Sequence, residues 1–285
     1  MTSDQISVER IRILALMLLV PFLLGSSRAE VDDQNRARKV LDVAVQAMGG
    51  ARYLSVRTEV ETGREFLFKR GQKAFVPFQA WTVSEDPVRW RHQAFKGKKQ
   101  TVQVYNLELE KGWVQEGFHT IEELTVEDLK SFREMVKRDL HYILRNRLDE
   151  EGISFFYYGP SDIAGSGELE AVEILDKDNV SVVIYFQIST HLPVRMESPT
   201  TTRSGFRIKT ETEFFNWHSI DGINSPLTTH YYRDGEKSGE KFIESISYNI
   251  PIPPHYFLEP VIPPKKAAKA RKREQKRLKR LEAEP

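Results

Sequence analysis

Seven histidines, His92, His119, His141, His191, His218, His230 and His255, offer the most versatile chemistry in this sequence, as bases, nucleophiles or metal ligands. They are scattered, with no HExxH and no spacing that pairs two imidazoles on one element. The stretch "GPSDIAG" presents Ser161 after Gly159, but Ile163 stands where a nucleophile elbow needs its second glycine. In "GSGELE", Glu170 replaces the third glycine of a dinucleotide fingerprint, and no strand–helix–strand unit surrounds it. Carboxylates are plentiful in "EEL" and "ELEAVE", yet alternating charges along strands ordinarily form a solvated face. Cysteine is absent, which removes disulfides, thiolate metal sites, cysteine nucleophiles, iron–sulfur clusters and a lipid-modified N-terminal cysteine. These residue types point to a protein that works without catalysis, and no metal or cofactor is expected.

The elements around them describe one large domain between two special ends. At 285 residues, with 40% hydrophobic and 11% aromatic residues, the chain can bury a substantial core. Its net charge of +1 is uneven: residues 1–29 carry +1 and residues 265–285 carry +7, leaving about −7 between them. Near the N-terminus, Arg10 and Arg12 precede an apolar run from Ile13 to Leu24, followed by Ser27 and Ala29 at the −3 and −1 positions of a cleavage site. The run is shorter than the roughly 20 residues a membrane span needs. The expectation is an exported protein, periplasmic or associated with the cell envelope, whose signal peptide (residues 1–29) is cleaved after Ala29.

Residues 30–262 read as the folded domain. Val40, Leu41, Ala44, Val45 and Met48 recur at helical spacing, and Gly49-Gly50 stop that helix. Period-two strands follow, with Val88, Trp90 and His92 on one face and Arg89, Arg91 and Gln93 on the other. A single long helix is expected over "LTVEDLKSFREMVKRDLHYILRNRL", opened by Thr125 and Asp128 in capping-box spacing. Its stripe is Val126, Leu129, Phe132, Met135/Val136, Leu140, Ile143/Leu144 and Leu148. Strands then resume to the end of the domain. In "SVVIYFQISTHLPVRMES", Val182, Ile184, Phe186 and Ile188 share one face and Val183, Tyr185 and Gln187 the other, so that strand, apolar on both faces except near its end, should be covered on both sides; Pro193 opens the returning strand. About ten or eleven strands joined by short turns make an antiparallel meander that must curl or close, with two packed sheets as the competing architecture.

Taken together, "AMGGARYLSV", "WVQEG", the central helix, "VVIYFQISTHLPVRMES", "FFNWHSIDGINSPLTTHYYRDG" and "SISYNIPIPPHYFLEP" resemble the LolA/LolB-like outer-membrane lipoprotein carrier superfamily over roughly residues 33 to 260. The resemblance implies a mainly β (α+β) fold: an incomplete antiparallel β-barrel with an N-terminal helix and a central plug or lid helix. It further implies an apolar concave surface that holds lipid or lipoprotein acyl chains. None of the family's functional residues is carried onto this chain. From the strand and helix patterns, Val88, Trp90, Val102, Val104 and Trp113 are expected to line such a hollow, faced by Leu129, Phe132, Met135 and Val136. The same periodicity is equally satisfied by ordinary sheet-on-helix packing.

After a proline break, residues 263–285 form a basic tail with Lys265, Lys266, Lys269, Arg271, Lys272, Arg273, Lys276, Arg277, Lys279 and Arg280. Such a tail is either simply solvated or attracted to anionic lipid headgroups. Export argues against a nucleic acid partner. Asn179-Val-Ser181 is a glycosylation sequon at a turn. Two classes of function follow: a non-enzymatic carrier for lipid or lipoprotein acyl chains, or a structural and protein-interaction module whose core is filled by its own side chains.

Overall fold

The computed structural model describes residues 32–69, 72–162, 167–202 and 205–281. The expected signal segment and its Ala29 cleavage site lie outside the described residues, as do Ile163 and Gly165 of the two glycine motifs. Helix α1 (residues 32–48) buries Ala37, Leu41, Ala44, Val45 and Met48, the face that its apolar spacing defines. Gly49 and Gly50 end it with φ of 129° and 57°, and the Gly50 N–H donates to the Val45 carbonyl at 2.9 Å. A short helix α2 (Ala51–Leu54) follows and buries Tyr53.

Thirteen antiparallel strands form one sheet. The first half is β1 (Thr58–Lys69), β2 (Gln72–Val83), β3 (Arg89–Ala94), β4 (Thr101–Asn106), β5 (Lys111–Glu116) and β6 (Thr120–Glu123). The second half is β7 (Ser154–Asp162), β8 (Glu168–Leu175), β9 (Ser181–Gln187), β10 (Pro193–Thr201), β11 (Arg207–Ile220), β12 (Ile223–Arg233) and β13 (Glu236–Tyr248). Each half is a meander, and pairing of β1 with β13 joins them, giving the order β6-β5-β4-β3-β2-β1-β13-β12-β11-β10-β9-β8-β7. The sheet curves without closing, since β6 and β7 remain its two edges. The strand count exceeds the expected ten or eleven; β6, only four residues of "TIEE", has no apolar alternation to betray it. Asp221-Gly222 and Asp234-Gly235 turn the last two hairpins with positive φ at both residues of each pair.

The central segment is not one helix. Helix α3 (Val126–Lys137) starts at the Thr125–Asp128 capping box, then the chain breaks at Asp139. Asp139 is extended, and its carboxylate accepts the Tyr142 N–H at 2.8 Å, capping a new turn α4 (Leu140–Tyr142) that continues as a π-helical turn (Ile143–Arg147). An aspartate that caps locally competes with helix continuation, so the break falls where the apolar stripe shows none. Val126 is exposed, outside the buried stripe. Beyond the break, Leu140, Ile143, Leu144 and Leu148 join α1, Tyr53 and the inner face of the second half in the main core. Val182, Ile184 and Phe186 of β9 are fully buried there, while Val183 and Tyr185 on the other face are half-buried.

Candidate functional site

The helices plug only part of the concave face. Between them and the central strands lies a partly open cavity of about 1220 Å³. Trp90 of β3 and Val88 before it, Phe132, Met135 and Val136 of α3, and Ile243 and Ile246 of β13 supply apolar wall. Phe132 stacks on Tyr105 of β4 at 4.1 Å between centroids and lies 6.0 Å from Trp90, fixing α3 over the first half of the sheet. The same helix is tied down along its length: Arg133 pairs with Glu110 at 2.7 Å, Arg138 donates to Ser198 of β10 at 3.2 Å, and Lys137 pairs with Asp178 at 2.7 Å. Behind it, buried Arg147 pairs with Asp176 at 2.7 Å. Helix α3 is therefore a strap running from the β4–β5 turn to the β8–β9 turn across the hollow.

Of the residues expected to line the hollow, Val88, Trp90, Phe132, Met135 and Val136 do so. Leu129 is buried but does not reach the cavity wall. Val102, Val104 and Trp113 lie on the opposite face. Strand register decides this: Trp90 pairs with Tyr105, whereas Val104 pairs with Arg91 and Trp113, so the two sets point to opposite sides. Val102, Val104 and Trp113 form a small separate core with Ile121. Their face is covered by chain that follows the sheet. A 3-10 turn (Pro254–Phe257) takes hydrogen bonds from Asn106 Nδ2 to the Phe257 carbonyl at 3.1 Å and from Arg91 to the Tyr256 carbonyl at 3.2 Å. The alternation of β4 offers an apolar set on one face and Tyr105 on the other; without the cover in view, the apolar set looks like the inner one.

Helix α5 (Pro264–Leu281) carries the basic tail. Ala270 is buried, and the Lys266 ammonium sits 4.8 Å from the Phe118 ring centroid in the β5–β6 turn, so the tail begins docked rather than loose. Lys265, Lys269, Arg271, Lys272, Arg273, Lys276 and Lys279 are exposed along it. Among the described residues, no helix is long and apolar enough to cross a membrane. Asn179 is exposed in the β8–β9 turn with φ of 59°.

The middle of the hollow is charged, which the sequence pattern conceals. Glu59, Glu61 and Glu65 alternate along β1 as a wet face would, yet they point inward. Glu61 forms an ion pair with Lys241 of β13. Burial alone would lower the Lys241 ammonium, but Glu61, Tyr231 and Glu59 raise it on balance. Burial, then repulsion from Glu61, pushes the Glu59 carboxyl up to about 8 despite the opposing pull of Arg145. Burial also raises Glu65, partly offset by Lys241. His92 is sandwiched between Phe78 and Trp90, each ring 5.4 Å away, and burial followed by the Lys241 charge lowers it to about 4. His141, beside Tyr53 with its Nδ1 3.2 Å from the hydroxyl, is lowered well below the usual range by burial and by Arg145 and Lys241. Both imidazoles are thus neutral at pH 7. The one available signal for this interior was Lys241, a cation flanked in "EKFIES" by residues of an otherwise alternating strand.

No protein-family model and no curated protein sequence matches the chain. Its fold, an open antiparallel barrel plugged by helices, is LolA-like. The chain is similar to a DUF1329 family protein from Desulfovibrio piger (TM-score 0.52, 12% identity, covering 78% of this chain and 97% of that one). It is similar to a domain from Vibrio parahaemolyticus named for outer membrane lipoprotein sorting (TM-score 0.51, 10% identity, 79% and 97% covered). A LolA superfamily protein from Nitrosomonas europaea matches equally well (TM-score 0.51, 10% identity, 78% and 97% covered). At these identities the likeness is one of fold.

Proposed function

We propose that this protein is a non-enzymatic exported carrier that holds lipid or lipoprotein acyl chains in the hollow beneath α3. The observation that carries the reading is the cavity itself: 1220 Å³ is larger than the roughly 300–1,000 Å³ of ordinary small-molecule sites, and an aromatic and aliphatic wall lines one end. Met135, exposed on the strap, gives a stretch of wall that can repack around a flexible chain, while Phe132 and its stack on Tyr105 anchor the helix. The LolA-like fold and the name of the Vibrio relative support the same ligand class. The segment 1–29 supports export to the cell envelope, and α5 supports a peripheral contact with anionic membrane.

Organic extraction of the purified full-length protein followed by mass spectrometry tests this reading. The expected result is co-purifying lipid in near-stoichiometric amount. An interior free of lipid that also takes up none on incubation with vesicles would favour the structural-module reading instead.

A further inference from the structure

Resting on that reading, we propose that the hollow also carries a subsite for an acidic head group, a carboxylate or phosphate of an amphiphilic ligand, built on Arg145. Arg145 belongs to the π-helical turn and stands on the cavity wall with its side chain only 3% exposed. Its guanidinium lies over the Tyr53 ring, 4.4 Å from the centroid. Nε and Nη2 have no hydrogen-bond partner among the described residues. The nearest carboxylate, Glu59, is 3.9 Å from Nη1, beyond hydrogen-bond reach. Buried guanidinium donors are ordinarily matched by acceptors, since leaving them unmatched is costly. Of the other arginines and lysines on the cavity wall, Lys241 is paired with Glu61 and Arg138 with Glu134 at 3.0 Å, while Lys130 and Arg233 are exposed to water. A planar guanidinium matches a carboxylate or phosphate in a bidentate fork. With the acid at Arg145, an attached chain runs toward the apolar end at Trp90, Phe132 and Met135.

The neighbourhood of Arg145 keeps this place open near neutral pH. Glu59 on β1, the carboxylate nearest to Arg145 among the described residues, has its carboxyl pushed up to about 8 and so is largely protonated at neutral pH. The other groups facing this corner are Glu61 on β1, Lys241 and Tyr248 on β13, Tyr53 on α2, Asp139 at the cap of α4, and His141 on α4. Asp139 is engaged as a helix cap and His141 is neutral. Above pH 8, Glu59 ionises and answers Arg145 itself, so an acidic ligand should be displaced.

Titration of the full-length protein with oleate, methyl oleate and lysophosphatidic acid tests the subsite and separates its two acid chemistries. The expected result is at least one of the two acids binding about tenfold or more tighter than the ester, with Arg145→Gln losing that advantage and leaving ester affinity unchanged. Equal affinity for acids and ester, or an Arg145→Gln protein that binds the acids as native does, overturns the subsite while sparing the carrier reading. Binding of none of the three probes overturns both. Should Arg145→Gln fail to fold, Glu59→Gln decides: native affinity for the acid should fall between pH 7 and pH 9.5, and that of Glu59→Gln should stay level. Parallel pH profiles for the two proteins overturn the subsite.

Discussion

Two side chains, Asp176 and Glu59, illustrate opposite uses of buried charge in this protein. Asp176 accepts hydrogen bonds from the Val180 and Asp178 N–H groups and from Arg147. Those bonds outweigh the upward push of burial and hold its carboxyl below the ordinary range. Removing one partner of such a buried pair strands the other, so Asp176→Ala should lose about 3–5 kcal/mol in urea denaturation. Glu59 is held the other way. Its folded carboxyl keeps a proton up to about 8, whereas the unfolded chain releases it near 4.5, so between those values the folded state binds more protons. Stability therefore falls as pH rises through that window, and the whole penalty is present above it. Glu59→Gln should be more stable than native protein at pH 9, with the difference shrinking toward pH 4.5; stability curves that stay parallel would contradict the assignment. Neither residue was legible as such: Asp176 reads as turn chemistry in "DKDN", and Glu59 as one of several strand carboxylates facing water.

Elements were more readable than their faces. The periodicity of α1 and its Gly49-Gly50 stop is reproduced in the fold, as is the capping box of α3, because each of these is local chemistry. Gly49 also serves packing, since a Cβ there would stand 2.6 Å from the Gly222 carbonyl oxygen at a φ of 129°. Gly49→Ala should cost about 1–3 kcal/mol, read as a lowered thermal midpoint. The break at Asp139 and the side to which Val102, Val104 and Trp113 point depend on distant chain: a core that receives Leu140 and Ile143, and a C-terminal cover over β3 and β4. Helix α3 depends on Phe132, buried and stacked on Tyr105. Phe132→Ala should destabilise the protein by about 3–5 kcal/mol and increase hydrogen exchange in α3 more than in α1. Equal protection of the two helices would contradict the role of α3 as a strap.

At the scale of the molecule, an unclosed thirteen-strand sheet plugged over only part of its concave face leaves a hollow that is apolar at one end and charged in the middle. The curved meander was legible from strand spacing, and a plug or lid helix followed from the family resemblance; the charged interior was not legible, because period two cannot say which face is turned in. The basic helix α5 lies outside this scheme, docked through Lys266 and Ala270, with Arg271, Lys272, Arg273, Lys276 and Lys279 exposed. Flotation with anionic vesicles should show binding by the full-length chain and about none by a form ending at Pro264; equal binding by both would remove α5 as an anchor. The central claim is the proposed one, that an acyl chain occupies the hollow lined by Trp90 and by Met135 and Val136 of α3. Its most direct test is quenching of tryptophan fluorescence by a lipid brominated along its acyl chain. Quenching should be strong in the native protein, fall sharply in Trp90→Phe and be unchanged in Trp113→Phe, whose ring faces the other side of the sheet. Quenching that is absent, or that survives Trp90→Phe undiminished, would place the chain elsewhere and contradict the account.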